Sequence, residues 1–299
     1  ESLSGMGWNL GGPVFGGPGS NGDLDVLRAF GPSVIEEDDG TLRMWYSGHD
    51  GSTSRILEAV QRPGRPWEGR GLSIDAGFAG ESDAYGVESP SVVVTQEGFL
   101  MAYAGSDGAD TRLHMAGSVD GHVWKSLGTF MERGEEDAVG ATHPCLLVTG
   151  QRWWLFFSGY DGSRNGRRSS VLAAVSDSGV TWDRVGPVLQ PGDDEMAVYE
   201  PCVVGAQRRM AMFFVSDDDR RPTIEMATSE DGIGWNRRGT MLPGSGEDVD
   251  TLGERSPCVV RLHDGTLRLW FAARPISDVQ ADYRLCSAEF AGEDDWVVG

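Results

Sequence analysis

Five near-equal repeats of short, aromatic-rich strands predict an all-β chain, a five-bladed β-propeller of four-stranded antiparallel blades. Three observations carry this expectation. A proline followed by a short apolar run recurs at Pro32, Pro90, Pro144, Pro201 and Pro257, with spacings of 58, 54, 57 and 56 residues. An aromatic second run follows each one, at Trp45 and Tyr46, Tyr103, Phe156 and Phe157, Phe213 and Phe214, and Trp270 and Phe271. Asp-Gly turns punctuate the runs, and nowhere does a helical period with caps persist.

Taken in order, each repeat supplies four strands. The proline run is the inner strand, and the aromatic run pairs with it. Three aromatic runs lead into Gly-x-Asp-Gly turns, at 48–51, 105–108 and 159–162. A third run follows at 56–60, 113–116, 171–175, 224–227 and 284–288. A turn closing on tryptophan then introduces the outer strand. It reads Ser-x-(Asp/Ser)-Gly-x-x-Trp at 118–124, 176–182 and 229–235, with looser forms ending at Trp67 and Trp296. This turn resembles the Asp-box of sialidase blades, and its recurrence assigns it to packing of blade on blade. The N-terminal stretch ending at Trp8 and continuing through Gly12, Pro13 and Val14 matches the third repeat, where Trp182 precedes Gly186, Pro187 and Val188. Segment 1–20 is therefore expected to join the last blade and close the ring, with Trp8 or Trp296 marking its fourth strand. The whole chain, 1–299, reads as a single propeller domain.

Composition bounds the function. The 299 residues are 39% hydrophobic with 43 glycines, enough for a full core. No apolar run approaches the roughly 18 residues a membrane helix requires. The net charge of -21 repels phosphate backbones and anionic lipid, which argues against nucleic-acid and membrane partners. Of 25 basic residues only Lys125 is lysine, a skew attributed to coding bias. The first twenty residues lack a basic-then-apolar leader, which favours the cytoplasm, with removal of an export signal before Glu1 as the alternative.

Repetition separates blade architecture from function. Residues common to all blades serve the blade; residues that differ at one equivalent position can serve a single off-centre ligand. An Asp stands seven residues before every proline, at Asp25, Asp83, Asp137, Asp194 and Asp250, as a turn-capping residue would. The residue after each proline is small: Ser33, Ser91, Cys145, Cys202 and Cys258. These cysteines and Cys286 form no Cys-x-x-Cys pair and read as buried thiols, with no metal site. The divergent positions are the two before each proline: Phe30 and Gly31, Glu88 and Ser89, Thr142 and His143, Tyr199 and Glu200, Arg255 and Ser256. A second divergent ring ends the aromatic strand, at His49, Ser106, Tyr160, Asp217 and Arg274. Carboxylates among Arg, His and aromatic side chains suit a hydroxyl-rich small molecule, a carbohydrate first of all.

The layout resembles the five-bladed glycoside hydrolases of families 43, 32 and 68, the arabinanase, invertase and levansucrase group. Inner strands that start at Glu-Pro, aromatic second strands ending in Gly-x-Asp-Gly, and the tryptophan-closing turns carry the resemblance. It implies three channel carboxylates: a base or nucleophile, a transition-state stabiliser and a Glu general acid. Tyr199-Glu200-Pro201 looks like the general-acid segment, so the resemblance points to Glu200 as proton donor. The pattern departs where blade one has Phe30-Gly31 and blade three Thr142-His143. Glu88 or a displaced Asp25 is then the expected base, His143 positions the substrate, and Asp217 stands in as stabiliser. Tyr199, Arg255, Arg274, His49, Tyr160, Phe30 and Thr142 are the expected substrate contacts. No cofactor is required, and a structural calcium ion in the channel is compatible with the resemblance. Two alternatives keep the fold: a His-Glu lyase, cyclase or isomerase, and a sugar-binding propeller without catalysis.

Overall fold

The computed structural model describes residues 7–17, 19–206, 209–219, 221–242, 253–274 and 283–291. Strand β1 (Trp8–Phe15) opens the chain. Blade one is β2 (Arg28–Glu36), β3 (Leu42–His49), β4 (Ser54–Gln61) and β5 (Glu68–Ile74). Blade two is β6 (Gly86–Thr95), β7 (Gly98–Ser106), β8 (Thr111–Ser118) and β9 (Lys125–Thr129). Blade three is β10 (Gly140–Thr149), β11 (Arg152–Tyr160), β12 (Ser169–Ser176) and β13 (Asp183–Leu189). Blade four is β14 (Ala197–Ala206), β15 (Arg209–Asp217), β16 (Pro222–Ser229) and β17 (Asn236–Thr240). Blade five holds β18 (Glu254–Arg261), β19 (Leu267–Ala273) and β20 (Arg284–Phe290), and β1 pairs antiparallel with β20 as its outermost strand. All five sheets are four-stranded and antiparallel, blades one to four as continuous meanders, so the expected five-bladed propeller is what the chain forms.

The core lies between blades rather than within them. Side chains alternate across a strand, so each inner strand pair presents one set to the preceding blade and one to the next. Trp45 packs with Val92 and Met101 of blade two, whereas its neighbours Met44 and Tyr46 pack with Trp270 and Leu285 of blade five. Five such clusters, one per blade junction, make up the buried interior. Strands buried on both faces must be apolar at every position, and this is why the aromatic runs show no alternation.

The tryptophan-closing turns work at these junctions. In blade two, Asp120 Oδ1 accepts the backbone N–H groups of His122 and Val123 at 2.8 and 2.9 Å, and Ser118 Oγ accepts that of Gly121. These N–H groups hold the Asp120 carboxyl down at about 2. The tryptophan then lands on the preceding blade: Trp124 on Trp45 (ring centroids 5.8 Å), Trp182 on Phe130 (5.9 Å), Trp235 on Phe156 (5.8 Å), Trp67 on Trp270 (6.4 Å) and Trp8 on Phe213 (6.3 Å). Trp8 thereby takes the place in blade five that the other tryptophans take in theirs. Trp296 lies outside the described residues. A backbone bond from Ala29 N–H to Tyr283 O (3.0 Å) joins blade one to blade five.

The small residues after the prolines also stitch the ring. Ser33 Oγ accepts Val92 N–H at 3.0 Å and Ser91 Oγ accepts Leu146 N–H at 2.8 Å. Cys145 Sγ and Cys202 Sγ accept Val203 and Val259 N–H, each at 3.2 Å. Contact with Cys202, reinforced by burial, pushes the Cys145 thiol well above its usual range. All four cysteines are free, as expected.

Candidate active site at the channel mouth

Every inner strand breaks its ladder at the proline. Register shifts lie between Phe30 and Ser33, Glu88 and Ser91, Thr142 and Cys145, Tyr199 and Cys202, and Arg255 and Cys258. The residue before each proline is left-handed: φ is 58° at Gly31, 55° at Ser89, 49° at His143, 56° at Glu200 and 53° at Ser256. This conformation is costly for any residue with a Cβ, and four of the five have one. The bulge brings these five residues to the wall of a cavity of about 140 Å³ between the inner strands, which the prolines and the small residues after them also line.

Glu200 is the hub. It is only 5% exposed. Its Oε2 accepts the backbone N–H of Ser256 in a short contact and the Ser256 hydroxyl at 3.2 Å. Oε1 faces His143 Nε2 at 3.3 Å, and the Arg255 guanidinium stands 4.0 Å away. The Glu200 N–H is itself fixed by Ser158 Oγ at 2.8 Å. The same bond ties Ser89 N–H to Ser47 Oγ at 2.7 Å in blade one. The equivalent of Ser47 and Ser158 in blade four is Val215, which cannot accept. There the Glu200 carboxylate takes the Ser256 N–H instead.

Around the hub, Thr142 Oγ1 meets His143 Nδ1 at 2.8 Å, which leaves Nε2 turned to Glu200. Arg255 covers the Tyr199 ring at 5.4 Å, and the Tyr199 hydroxyl donates to Asp217 Oδ2 at 3.1 Å. Burial, then the negative charge of Glu200, pushes the Tyr160 hydroxyl up to about 12. Glu88 differs from Glu200. Burial raises its pKa above the usual carboxylate value, and the nearby charge of Glu200 raises it further, against the opposing pull of His143 and Arg28. One carboxyl is thus surrounded by donors and the other is set in a desolvated place that favours its neutral form.

Blades two to five therefore bring Glu88, Thr142, His143, Tyr160, Tyr199, Glu200, Asp217 and Arg255 together. Phe30 sits half-buried beside Gly31 with no polar role, and His49 Nδ1 accepts Gly51 N–H at 2.9 Å in its own turn. Arg274 is exposed at the end of β19. Asp25 does not reach the channel. It is fully buried, and its carboxylate accepts the Ser20 and Tyr46 hydroxyls at 2.7 and 2.8 Å. Asp83 and Asp137 are likewise buried, against Tyr103 and Arg184. In blade four the exposed Asp194 cedes this part to Glu195, bonded to Ser216 and Arg237; Asp250 lies outside the described residues. Arg28 and Ser158 were not singled out from the sequence, and Ser256 was named there only as a divergent position. Comparing the Ser47, Ala104, Ser158, Val215 and Ala272 positions across blades is the signal that would have found Ser158.

Of the carboxylate and imidazole groups, Glu200 and His143 line the cavity between the inner strands, and they are already engaged with one another. Among the described residues no group of three or more His, Cys, Asp or Glu side chains is arranged to hold a metal ion, so this donor set does not fit a calcium ion. No helix among the described residues is long and apolar enough to cross a membrane.

No protein-family model matches the chain. Two uncharacterized proteins of Mycobacterium tuberculosis, from strains CDC 1551 / Oshkosh and ATCC 25618 / H37Rv, are each 27% identical over 256 residues, 78% of this chain and 83% of theirs. Among solved structures, a thermostable family-43 glycoside hydrolase superposes with a TM-score of 0.72 at 16% identity, covering 94% of both chains. An alpha-L-arabinofuranosidase from Lactobacillus brevis gives 0.72 at 13% identity, covering 90% of this chain and 92% of that one. A structure from work on family-130 glycoside hydrolases that target beta-1,2 mannosidic linkages in Candida mannan gives 0.73 at 15%, covering 98% of both. The protein shares with these glycoside hydrolases the five-bladed propeller fold that its blade motifs resemble.

Proposed function

We propose that the protein is a glycosidase-like enzyme acting on a sugar or sugar-like small molecule at the channel mouth by carboxylate acid/base chemistry. The observation that carries the reading is the contrast between its two inner-strand glutamates. Two carboxyls whose surroundings push them apart can divide the roles of acid and base. Glu88, desolvated and with its pKa raised, is the proton donor to the leaving oxygen. Glu200, faced by Ser256, His143 and Arg255, serves as nucleophile or as base toward water. This exchanges the roles that the sequence resemblance suggests, because Ser256 and His143 already engage both oxygens of the Glu200 carboxylate, whereas burial favours the protonated form of Glu88. Arg255, placed against Glu200 and Tyr199, is accounted for without an anionic group on the substrate.

The family likeness supports carbohydrate as the substrate class, and the aromatic rings of Tyr160 and Tyr199 beside carboxylates suit one. The contact between His143 and Glu200 supports a second reading, in which this pair eliminates, cyclises or isomerises a small molecule. Turnover of a panel of aryl glycosides and oligosaccharides in ¹⁸O-water separates the two. Hydrolysis carries ¹⁸O to the anomeric carbon; elimination or isomerisation yields product without it. Wild-type protein inert on every glycoside, with no sugar binding, would end the glycosidase reading.

A further inference from the structure

Two aromatic side chains break the rule that holds for the rest of the described chain. Tyr85 is 67% exposed and Phe78 85% exposed; every other described Phe, Tyr or Trp is buried or half-buried. Both belong to the connection from β5 to β6, on the channel-mouth side. A large exposed ring on a surface this acidic contributes nothing to folding, and such rings mark contact sites.

The backbone under Tyr85 is held. Its N–H donates to Ser106 O at 2.8 Å, and its carbonyl accepts the Thr53 hydroxyl at 2.9 Å, so blades one and two both fix it. The ring lies against Gly108. A Cβ built there would stand 3.2 Å from the ring, and φ of +89° at Gly108 keeps the position glycine. One face of the ring is thus seated on bare backbone, and the residue remains largely open to solvent. The position also passes the test of repetition. The residues making the same backbone bond in other blades are Leu27, Val139 and Met196, all aliphatic.

We propose that Tyr85, with Phe78 beside it on the same connection, is a stacking platform for an outer sugar ring of a neutral oligosaccharide whose reacting ring sits between Glu88 and Glu200. The inference rests on the glycosidase reading and extends it from a single sugar to a chain of them. Tyr85 stands three residues before Glu88 in extended backbone, about 10 Å along the chain. That span separates rings one or two units apart in an oligosaccharide. A sugar presents an apolar face to an aromatic ring and its hydroxyls to the rim, and a preorganised ring binds it with little ordering penalty. The local charge selects a neutral ring over a uronate. Asp107 and Glu81 lie on the flanking turns, and Arg55, Arg112 and Arg133 are engaged with Asp50, Asp75 and Asp110.

The test uses the full chain carrying Glu200→Gln, so that ligands are bound and not turned over. Neutral mono- to hexasaccharides are screened on a glycan array, and the best series is titrated by calorimetry, with thermal melts to verify folding. The ratio of oligosaccharide to monosaccharide affinity is expected to fall about tenfold in Tyr85→Ala, the loss of one stacked ring. Phe78→Ala should reduce the ratio less, and Tyr85→Trp should preserve it. A ratio unchanged in Tyr85→Ala, or no gain in affinity with length, overturns the platform and leaves the glycosidase reading standing. Failure of every sugar to bind overturns both.

Discussion

Glu88 and Glu200 are both inner-strand glutamates, yet their surroundings differ: Ser256, His143 and Arg255 face Glu200, whereas burial raises the pKa of Glu88. If Glu88 is the acid, kcat/KM falls as pH rises through its raised pKa, because only the protonated form can donate. Glu88→Gln should abolish that alkaline limb and lower turnover of poor leaving groups about 10²- to 10⁴-fold. Dinitrophenyl glycosides, whose leaving group requires no proton, should escape most of this loss in Glu88→Gln and none of it in Glu200→Gln. Rescue of Glu200→Gln instead would restore the acid role to Glu200. Asp25 makes a different test. Burial raises its folded-state pKa above the ordinary carboxylate value, despite the Ser20 and Tyr46 hydroxyls. A raised acid contributes its full stability below the unfolded value and loses it as pH climbs through the folded value. Asp25→Asn does not titrate there, so the melting temperature of the variant should gain on the wild type as pH rises from the ordinary carboxylate value through the raised folded-state value, with no change in the pH profile of activity.

At the level of elements, the pre-proline bulge is where architecture and chemistry meet. All five blades adopt it, so its left-handed residue belongs to the blade, and function enters only through which side chain the bulge presents. Ser47 and Ser158 each hold the next blade's bulge by one buried backbone bond. Replacing either by alanine leaves an N–H unpaired and should cost about 1–3 kcal/mol in denaturant unfolding. Turnover should fall further in Ser158→Ala than in Ser47→Ala, since only Ser158 fixes Glu200. Equal kinetic damage would mean that the bonds serve stability alone. The tryptophan turns carry no such division of labour. They recur in blade after blade, and each seats a ring on the preceding blade.

For the molecule as a whole, closure depends on an N-terminal strand completing a C-terminal blade. The antiparallel pairing of β1 with β20 and the packing of Trp8 on Phe213 and Phe290 seal the last blade. Removing residues 1–16 would bare the edge of β20 and the aromatic cluster beneath, which invites pairing between copies. We expect the melting temperature to drop by about 10 °C or more, with aggregation seen by light scattering. An unchanged melt would show that the ring is held by its blade junctions without this strand.

The blade count and the strand order within the blades were legible in the amino-acid sequence, because a repeat answers the same local physics five times. Prolines mark the bulges, apolar runs mark strands buried on two faces, and tryptophans mark the junctions. Repetition also kept Asp83 and Asp137 out of the catalytic set. It failed at Asp25, entertained as a displaced base although it shares their buried role, and at Asp194, whose part Glu195 has taken. The proposed division of labour between Glu88 and Glu200 rests on neighbours from other blades, far away in the chain: Ser256 and Arg255 from blade five, His143 and Ser158 from blade three. Solvation and charge at a point are sums over everything nearby in space. Only the closed ring brings those groups together, so only the tertiary structure shows that Glu200 is engaged from blades three and five while burial raises the pKa of Glu88.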